Sequence, residues 1–240
     1  MTTIGILDSG IGGLTTLKLL KQRFPFLDFY YLADNKNMPY GTKTQEELQE
    51  ICYSALKKLK AHSDVQVTAC NTASSILEDS SVIKLIPPVL DVQNTLYLAT
   101  PMTICKLKER AKNAHILQSA VFADTPDLAT LVEVYASVAV RKSCLNLREL
   151  LPYLAHKLFE FKGVQNVVLG CSHYVYLKNE ISKILGNVNY FDGNERIINA
   201  LEKTVCPEKR LGSTSFDFTA DDESKKYSAL LSLLEQEKAI

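Results

Sequence analysis

One stretch of the sequence decides the fold, Val65-Gln-Val-Thr-Ala-Cys-Asn-Thr-Ala-Ser-Ser75. Its apolar beginning predicts a short buried strand, and the small polar residues after Cys70 are typical of a helix start. The same pattern returns in the second half of the chain, in Val167-Val-Leu-Gly-Cys-Ser-His-Tyr174. Two cysteines in matched strand-end positions indicate an internal repeat with a paired chemical function.

Strands and helices are predicted to alternate along the rest of the chain, which is typical of an α/β fold with mostly parallel sheets. The apolar run 4–7 predicts a central strand, and the glycine-rich turn 8–13 leads from it into a helix. A second strand is predicted over residues 29–33. Around residues 93–94 the chain passes into a second unit of the same kind.

Several further elements follow from local patterns. Thr44-x-x-Glu47 predicts a capping box at a helix start, and Thr100 before Pro101 predicts a helix with a threonine cap and a proline in its first turn. Pro87-Pro88 is expected to close the helix after Cys70. Strands are predicted over residues 89–92, 97–100, 116–121, 188–191 and 216–219. Residues 147–161 predict one long amphipathic helix.

Composition excludes several classes of function. Apolar residues make up 46% and charged residues 22% of the 240 residues, as in ordinary globular proteins. Lys plus Arg equals Asp plus Glu at 27 each, so no overall positive field attracts nucleic acid. No apolar run approaches the ~18 residues of a membrane span, and the N-terminus lacks the regions of a signal peptide. We therefore expect a cytoplasmic protein without a nucleic-acid or membrane partner.

The six cysteines fall into two groups. No Cys-x-x-Cys pair is present, so a metal site has little support, and an even cysteine count indicates disulfides only in short secreted chains. Cys52, Cys105 and Cys144 are expected to behave as small hydrophobic side chains. Cys70 and Cys171 differ because they stand where predicted strands end.

The carboxyl ends of parallel strands meet at one edge of a sheet, where ligands bind. Polar residues at the predicted strand ends include Asp8, Ser9, Asp34, Cys70, Asn71, Thr72, Thr100, Cys171, Ser172 and His173. A cysteine ahead of a helix is expected to have a lowered thiol pKa, because free N–H groups stabilise its thiolate. The same N–H groups can hold a substrate carboxylate.

The two cysteines together suggest a reaction. If they face each other across a pocket, one thiolate can remove a proton from carbon while the other thiol donates one from the opposite face. That sequence inverts a stereocentre without a cofactor, and no lysine stands in a recognisable pyridoxal setting.

Two other interpretations stay open on the residues alone. Gly10-x-Gly12-Gly13 is similar to a dinucleotide-binding turn, with Asp34 as the ribose-binding acid, although Thr15 occupies the place of the third glycine. A nicotinamide-dependent enzyme would leave the paired cysteines unexplained. Asn71 and Thr72 also suit a plain helix cap.

Seven motifs match a known family in the same order. They are Asp8-Ser-Gly-x-Gly-Gly-Leu14, Pro39-Tyr-Gly-Thr-Lys43, Ala69-Cys-Asn-Thr-Ala-Ser74, Ala99-Thr-x-x-Thr-Ile104, Leu131-Val-Glu133, Gly170-Cys-Ser-His-Tyr174 and Phe218-Thr219. On these motifs the chain resembles the cofactor-independent aspartate/glutamate racemases. The resemblance implies two similar three-layer α/β domains, related by a pseudo-two-fold axis, with the active site in the cleft between them. The first domain would comprise residues 1–92 and 194–240, and the second residues 93–193.

The resemblance also implies residue roles. Cys70 and Cys171 would be the acid/base pair, with Asp8 assisting Cys70, and His173 and Glu133 assisting Cys171. The amino acid would be held by Asp8, Ser9, Tyr40, Gly41, Asn71, Thr72, Thr100, Thr103, Ser172 and His173. No cofactor or metal ion would take part, and the product, D-glutamate, is used in bacterial peptidoglycan. A homodimer is compatible with this resemblance.

His173 and the Cys-Asn-Thr-Ala-Ser motif favour the glutamate branch, and aspartate racemisation is the alternative within the family. The chain departs from the family between residues 89 and 100, where roughly a dozen residues and a helix are absent. A non-catalytic relative that only binds an amino acid is therefore a further alternative. Thr125, Ser172 and Val175 stand where the family usually has Cys, Thr and Pro.

Overall fold

The structure is a computed structural model that describes residues 2–236. Its strands, in chain order, are β1 (Thr3–Asp8), β2 (Asp28–Ala33), β3 (Val65–Thr68), β4 (Ile83–Lys84), β5 (Thr95–Ala99), β6 (Ala120–Asp124), β7 (Asn166–Gly170), β8 (Asn189–Phe191) and β9 (Thr214–Phe218). Its α-helices are α1 (Leu14–Arg23), α2 (Gln45–Lys60), α3 (Asn71–Ile76), α4 (Pro101–Asn113), α5 (Leu128–Arg141), α6 (Leu151–Leu158), α7 (Lys178–Leu185), α8 (Asn194–Glu202) and α9 (Ser224–Gln236).

The strands form two sheets of the same topology. The first sheet has the order β4-β3-β1-β2-β9 and the second β6-β5-β7-β8, and every pair is parallel. Strands β4-β3-β1-β2 of the first sheet correspond, in the same spatial order and the same chain order, to strands β8-β7-β5-β6 of the second. Cys70 follows β3 and Cys171 follows the matching strand β7, so the predicted α/β fold and its internal repeat are confirmed.

The C-terminal tail belongs to the first sheet. Strand β9 pairs with β2 from Thr214, opposite Phe29, to Phe218, opposite Ala33. Helix α9 is fixed over this edge by Tyr227, whose ring centroid lies 4.9 Å from that of Phe218. Such aromatic pairs add about 1 kcal/mol beyond the area they bury. The domain boundaries given above, 1–92 with 194–240 and 93–193, stay a prediction.

Local sequence explains the elements that position the site. Strands β5 and β7 are buried along their whole length, as expected for parallel strands covered on both faces. The predicted capping box starts α2: the Thr44 hydroxyl accepts from the Glu47 N–H at 3.2 Å, and the Glu47 carboxylate accepts from the Thr44 N–H at 3.0 Å.

The segment between the two sheets differs from the prediction. Helix α3 ends at Ile76, well before Pro87-Pro88, and the two-residue strand β4 was not predicted. Residues 89–92 form no strand, because the Leu90 N–H donates to the Tyr97 hydroxyl at 2.8 Å instead of to a neighbouring strand. No helix lies between β4 and β5, in agreement with the short length of this segment.

Two elements predicted in the second half of the chain are shorter in the structure than predicted, or begin later. The helix predicted over residues 147–161 is reduced to α6, with single 3-10 turns on either side. Pro152 explains its start, since proline lacks an N–H and fits only the first turn of a helix. The strand predicted over residues 116–121 begins only at Ala120, after a 3-10 turn.

Within residues 2–236, no helix has both the length and the apolar character to cross a membrane. The described residues also contain no group of three or more His, Cys, Asp or Glu side chains placed to hold a metal ion.

Candidate active site

Both strand-end cysteines line one cavity between the two sheets. It is also lined by Ser9, Met38, Pro39, Tyr40, Gly41, Asn71, Thr72, Thr100, Pro126, Ala129, Ser172 and His173. All the predicted substrate-binding residues are in this set except Asp8 and Thr103, which lie one hydrogen bond behind it. Met38, Pro39, Pro126 and Ala129 were not predicted as site residues, because apolar side chains carry no chemical signal in a sequence.

The cavity has a volume of about 20 Å³. That volume holds about one water molecule, so the two halves of the protein are closed around the cysteines. A free amino acid is larger than this volume, so the cavity has to widen before a substrate can reach the thiols.

Cys70 lies at the N-terminus of α3 and is buried. We expected this position to lower its pKa, and for the closed cavity that expectation is wrong. The pKa of the Cys70 thiol is raised well above its usual value, because burial removes the thiolate from water and the Asp8 carboxylate repels it. The Ala73 N–H opposes these effects only in part, and the charge of Cys171 adds to them.

Asp8 ends strand β1 and is fully buried. Its carboxylate accepts hydrogen bonds from the Gly10 N–H at 2.8 Å and the Ser172 hydroxyl at 3.0 Å. Burial raises the pKa of Asp8 to about 6, although the His173 charge and these two hydrogen bonds oppose the rise. A carboxyl group with that pKa can exchange a proton near neutral pH.

Cys171, His173 and Glu133 form a chain of polar contacts. The Cys171 sulfur lies 3.9 Å from Nδ1 of His173, and Nε2 of His173 lies 2.9 Å from Oε1 of Glu133. Burial alone would lower the pKa of His173, but its contacts with Cys171 and Glu133 outweigh burial and hold that pKa well above the usual value. A doubly protonated ring can donate to both neighbours at once.

Glu133 extends this chain to the glycine-rich turn of the first sheet. Its Oε1 accepts the Ile11 N–H at 2.6 Å, and its Oε2 lies 3.7 Å from the Lys226 ammonium. Burial alone would raise the pKa of Glu133, but His173, Ile11 and Lys226 together lower it below the usual value. Glu133 is therefore a buried carboxylate that joins both halves of the structure.

Three threonine hydroxyls connect the two cysteine-bearing units. Oγ1 of Thr72 lies 3.1 Å from Oγ1 of Thr100, and Thr100 donates to Oγ1 of Thr103 at 3.1 Å. Helix α4 begins after Thr100 as predicted, but the Thr100 side chain does not cap it. Its hydroxyl is used across the cleft instead.

Asp34 organises the loop that carries Tyr40. Its carboxylate accepts the Tyr40 hydroxyl at 2.6 Å, the Asn37 amide at 3.0 Å, and the Thr219 hydroxyl. Asp34 was predicted as a polar residue at a strand end and, in the nicotinamide interpretation, as the ribose-binding acid. In the structure its hydrogen bonds connect the loop that carries Tyr40 to the C-terminal tail. Its position at the end of β2 was the signal that it has a role at this edge.

The glycine-rich turn is occupied by side chains of the other half. A Cβ atom on Gly10 would lie 1.8 Å from Oε1 of Glu133, and one on Gly12 would lie 2.2 Å from the Ser172 hydroxyl. Glycine is required here for close approach. These contacts fill the place where a dinucleotide pyrophosphate would bind, so the geometry does not favour the nicotinamide interpretation.

Asn71 has one satisfied and one unsatisfied polar atom. Its amide nitrogen donates to the Leu85 carbonyl at 3.0 Å. Its Oδ1 is buried and has no hydrogen-bond partner within the described part of the chain. A buried acceptor without a partner is costly, so a ligand that donates to Oδ1 would be stabilised in this cavity.

The remaining cysteines lie outside the site. Cys52 is buried in the core of the first sheet, as predicted, and burial raises its pKa to about 12. Cys105 and Cys144 are exposed, so the prediction that they behave as small hydrophobic side chains was wrong. Thr125 is buried and donates to the Tyr174 hydroxyl at 2.7 Å.

The chain is similar to several known proteins. No family model matches it. A glutamate racemase from Clostridium novyi is 34% identical, over 87% of this chain and 85% of that protein. A glutamate racemase from Campylobacter concisus is 30% identical over 99% of both. A Francisella tularensis glutamate racemase, whose crystal structure contains D-glutamate, has a TM-score of 0.75 and 25% identity, over 98% of this chain and 94% of that one.

Two repeated parallel sheets with a cysteine from each at one cavity, together with these relatives, identify an amino-acid racemase. The sequence identity of 34% and 30% to the two curated relatives, over most of their length, identifies the particular family of racemases. The chain belongs to the glutamate racemase family.

Proposed function

We propose that this protein interconverts L- and D-glutamate through Cys70 and Cys171. The observation that carries the proposal is that the two buried cysteines line one cavity, although each follows a strand of a different sheet. Two acid/base groups on opposite sides of a Cα atom are what inversion of its configuration requires. The family of the chain supports glutamate as the amino acid.

In the proposed reaction one cysteine thiolate takes the Cα proton, and the electron pair of the C–H bond moves into the α-carboxylate. The other thiol then donates its proton to the opposite face of Cα. The charge of Cys171 raises the pKa of Cys70, so the pair favours a single thiolate over two. The enzyme ends with the thiol and the thiolate exchanged, and proton exchange with water restores the starting form.

Each cysteine would have its own assisting acid or base. Asp8 would exchange a proton with Cys70, since its pKa of about 6 allows both protonation states near neutral pH. The His173 imidazolium, held by Glu133, would stabilise the Cys171 thiolate and supply a proton from Nδ1. The pair would therefore be served by a carboxyl group on one side and an imidazolium on the other.

The substrate would supply what the closed cavity lacks. Its α-ammonium group would donate to the unpartnered Oδ1 of Asn71 and would oppose the repulsion between Asp8 and the Cys70 thiolate. Its two carboxylates would accept hydrogen bonds from the other residues that are predicted to hold the amino acid. These are Ser9, Tyr40, Gly41, Thr72, Thr100, Thr103, Ser172 and His173. The threonine hydroxyls now bonded to each other would then turn to the substrate.

In the cell, the proposed product would supply D-glutamate for peptidoglycan, which supports cell shape, and the reaction would take place in the cytoplasm without a cofactor. A homodimer is part of the same proposal, because the resemblance is compatible with it.

Circular dichroism of L-glutamate and L-aspartate, each incubated with the purified protein, tests this function. We expect the glutamate signal to decay to zero at least about tenfold faster than the aspartate signal. Faster loss of the aspartate signal would assign the sister activity. Calorimetric binding of glutamate without any loss of optical activity would indicate the non-catalytic relative, which the short segment before β5 motivates. The variant Cys70→Ser sets the background rate.

A further inference from the structure

The polar chain that starts at Cys171 continues beyond Glu133 to Lys226, a residue with no role in the mechanism above. The Lys226 ammonium lies 3.7 Å from Oε2 of Glu133 and 2.9 Å from Oε1 of Glu223, the residue just before α9. Its neighbour Tyr227 is fully buried and fixes α9 on the first sheet. Lys226 is therefore a cation held at a fixed place on the side of Glu133 that faces away from His173.

The two oxygens of Glu133 have different partners. Oε1 accepts both the Ile11 N–H and the His173 N–H, at 2.6 and 2.9 Å. Oε2 has Lys226 as its ionic partner. The Glu133 side chain is only 7% exposed, and a buried carboxylate stays ionised only where cations or N–H groups stabilise it.

The other groups around Glu133 do not supply that stabilisation. Two are acids, Asp8 of β1 and Glu223 just before α9. Three are phenols, Tyr31 of β2, Tyr176 in the same 3-10 segment as His173, and Tyr227 of α9. Among the described residues around Glu133, the two cations are His173 and Lys226. His173 takes part in the proton transfer, so Lys226 is the cation whose charge is constant during the reaction.

We propose that Lys226 is a positioning residue: it keeps Glu133 ionised and oriented, so that His173 retains the N–H that faces Cys171. In the half of the reaction in which Cys171 is the thiolate, the order of charges is ammonium, carboxylate, imidazolium and thiolate. This inference rests on the proposed function, because it assigns Lys226 to the Cys171 half of the two-thiol reaction. Helix α9, which packs on the first sheet, would then influence the reactivity of Cys171, which follows strand β7 of the second sheet.

The test uses Lys226→Met, which keeps the apolar stem, and Lys226→Arg, which restores the charge. Lys225→Met is the matched control, since Lys225 is the exposed neighbour on the same helix. For Lys226→Met we expect kcat to fall about three- to fivefold with little change in KM. The apparent pKa that defines the acid limb of the pH–rate profile should increase by about 0.5 unit. Lys226→Arg should recover most of kcat.

A Lys226→Met enzyme that matches Lys225→Met in kcat and in its pH profile would overturn the proposal. Carbon-13 NMR of protein labelled at the glutamate side-chain carboxyls gives a second readout, with the Glu133 signal assigned by its loss in Glu133→Gln. We expect the Glu133 pKa to be higher in Lys226→Met than in the wild type, and an unchanged pKa would also overturn the proposal. If the wild type does not racemise glutamate, the proposed function fails while NMR still decides the role of Lys226.

Discussion

Ser172 and Asp8 are hydrogen-bonded across the cleft, with the Ser172 hydroxyl donating to Oδ2 of Asp8 at 3.0 Å. Ser172 directly follows Cys171, whereas Asp8 is the carboxylate that raises the pKa of Cys70. The bond therefore connects the residue beside one thiol to the acid beside the other. The two cysteines belong to one electrostatic unit rather than to two separate sites.

Replacement of Ser172 by alanine is expected to shift the pH dependence of turnover. The Ser172 hydrogen bond lowers the pKa of Asp8, so its loss should raise that pKa above about 6. The acid limb of the kcat profile should move up by about one pH unit. Ser172→Thr keeps the hydroxyl and should retain the wild-type profile. Coincident profiles for the alanine and threonine variants would contradict this role.

Asp8 is also expected to make stability depend on pH. Its pKa is about 6 in the folded protein and 3.8 in the reference state, so the folded state holds this proton more tightly. Its contribution to the free energy of unfolding is unchanged below pH 4, falls as pH rises from about 4 to about 6, and then stays constant. The total loss is about 3 kcal/mol.

Urea denaturation of the wild type and of Asp8→Asn at pH 4.5, 6 and 7.5 measures this effect. Asparagine cannot ionise, so the wild type should lose stability relative to the variant as pH rises. Titrating groups that do not interact with Asp8 cancel in the difference. Parallel stability profiles for the two proteins would show that the Asp8 pKa is not raised by folding.

Gly12 is expected to be essential for closure and dispensable for folding of the first sheet. A Cβ atom at Gly12 would lie 2.2 Å from the Ser172 hydroxyl and 2.7 Å from Nδ1 of His173. Gly12→Ala should therefore hold the halves apart and lower kcat/KM at least about a hundredfold, since small displacements of reacting groups have large effects. Activity assays with thermal melting check this. Wild-type activity in a folded Gly12→Ala protein would contradict the close approach.

Tyr40 is expected to affect substrate binding more than turnover. Its hydroxyl donates to Asp34, which also holds the Thr219 hydroxyl of the tail. Tyr40→Phe removes one donor from a buried carboxylate and should raise KM about five- to tenfold, with kcat within about threefold. Tyr53→Phe is the control, because Tyr53 is exposed on α2. Equal kcat and KM values for Tyr40→Phe and Tyr53→Phe would show that the loop carrying Tyr40 does not contribute to substrate binding.

The sequence was sufficient to predict the parallel fold and its repeat, because both rest on strong local patterns. Most of the cavity residues stand at predicted strand ends or in the motifs that carry the family resemblance. The strand-end position of Cys70 is visible in an apolar run that stops at a cysteine. The raised pKa of Cys70 was not predictable, since it depends on burial and on Asp8, which lies far away in sequence. Lys226 was missed for the same reason: only the packing of α9 brings it to Glu133.

The errors in secondary structure have a local cause. Residues 89–92 have the composition of a strand, but the Tyr97 hydroxyl takes the N–H of Leu90, which a neighbouring strand would need. In residues 147–161 the apolar stripe continues, while Pro152 restricts where a helix can begin. Hydrophobic periodicity indicates which face of an element is buried, but it does not show where a helix or strand begins and ends.

The central claim is that both thiols are required for inversion at Cα. Its most direct test is racemisation of L-glutamate in heavy water, followed by circular dichroism and by NMR of the α-proton. We expect the wild type and the exposed-cysteine control Cys105→Ser to racemise glutamate and to introduce deuterium at Cα. Cys70→Ser and Cys171→Ser should each lose at least about a hundredfold of this activity, because a serine hydroxyl is a far weaker acid than a thiol. Full racemisation in either single variant would contradict the two-thiol account.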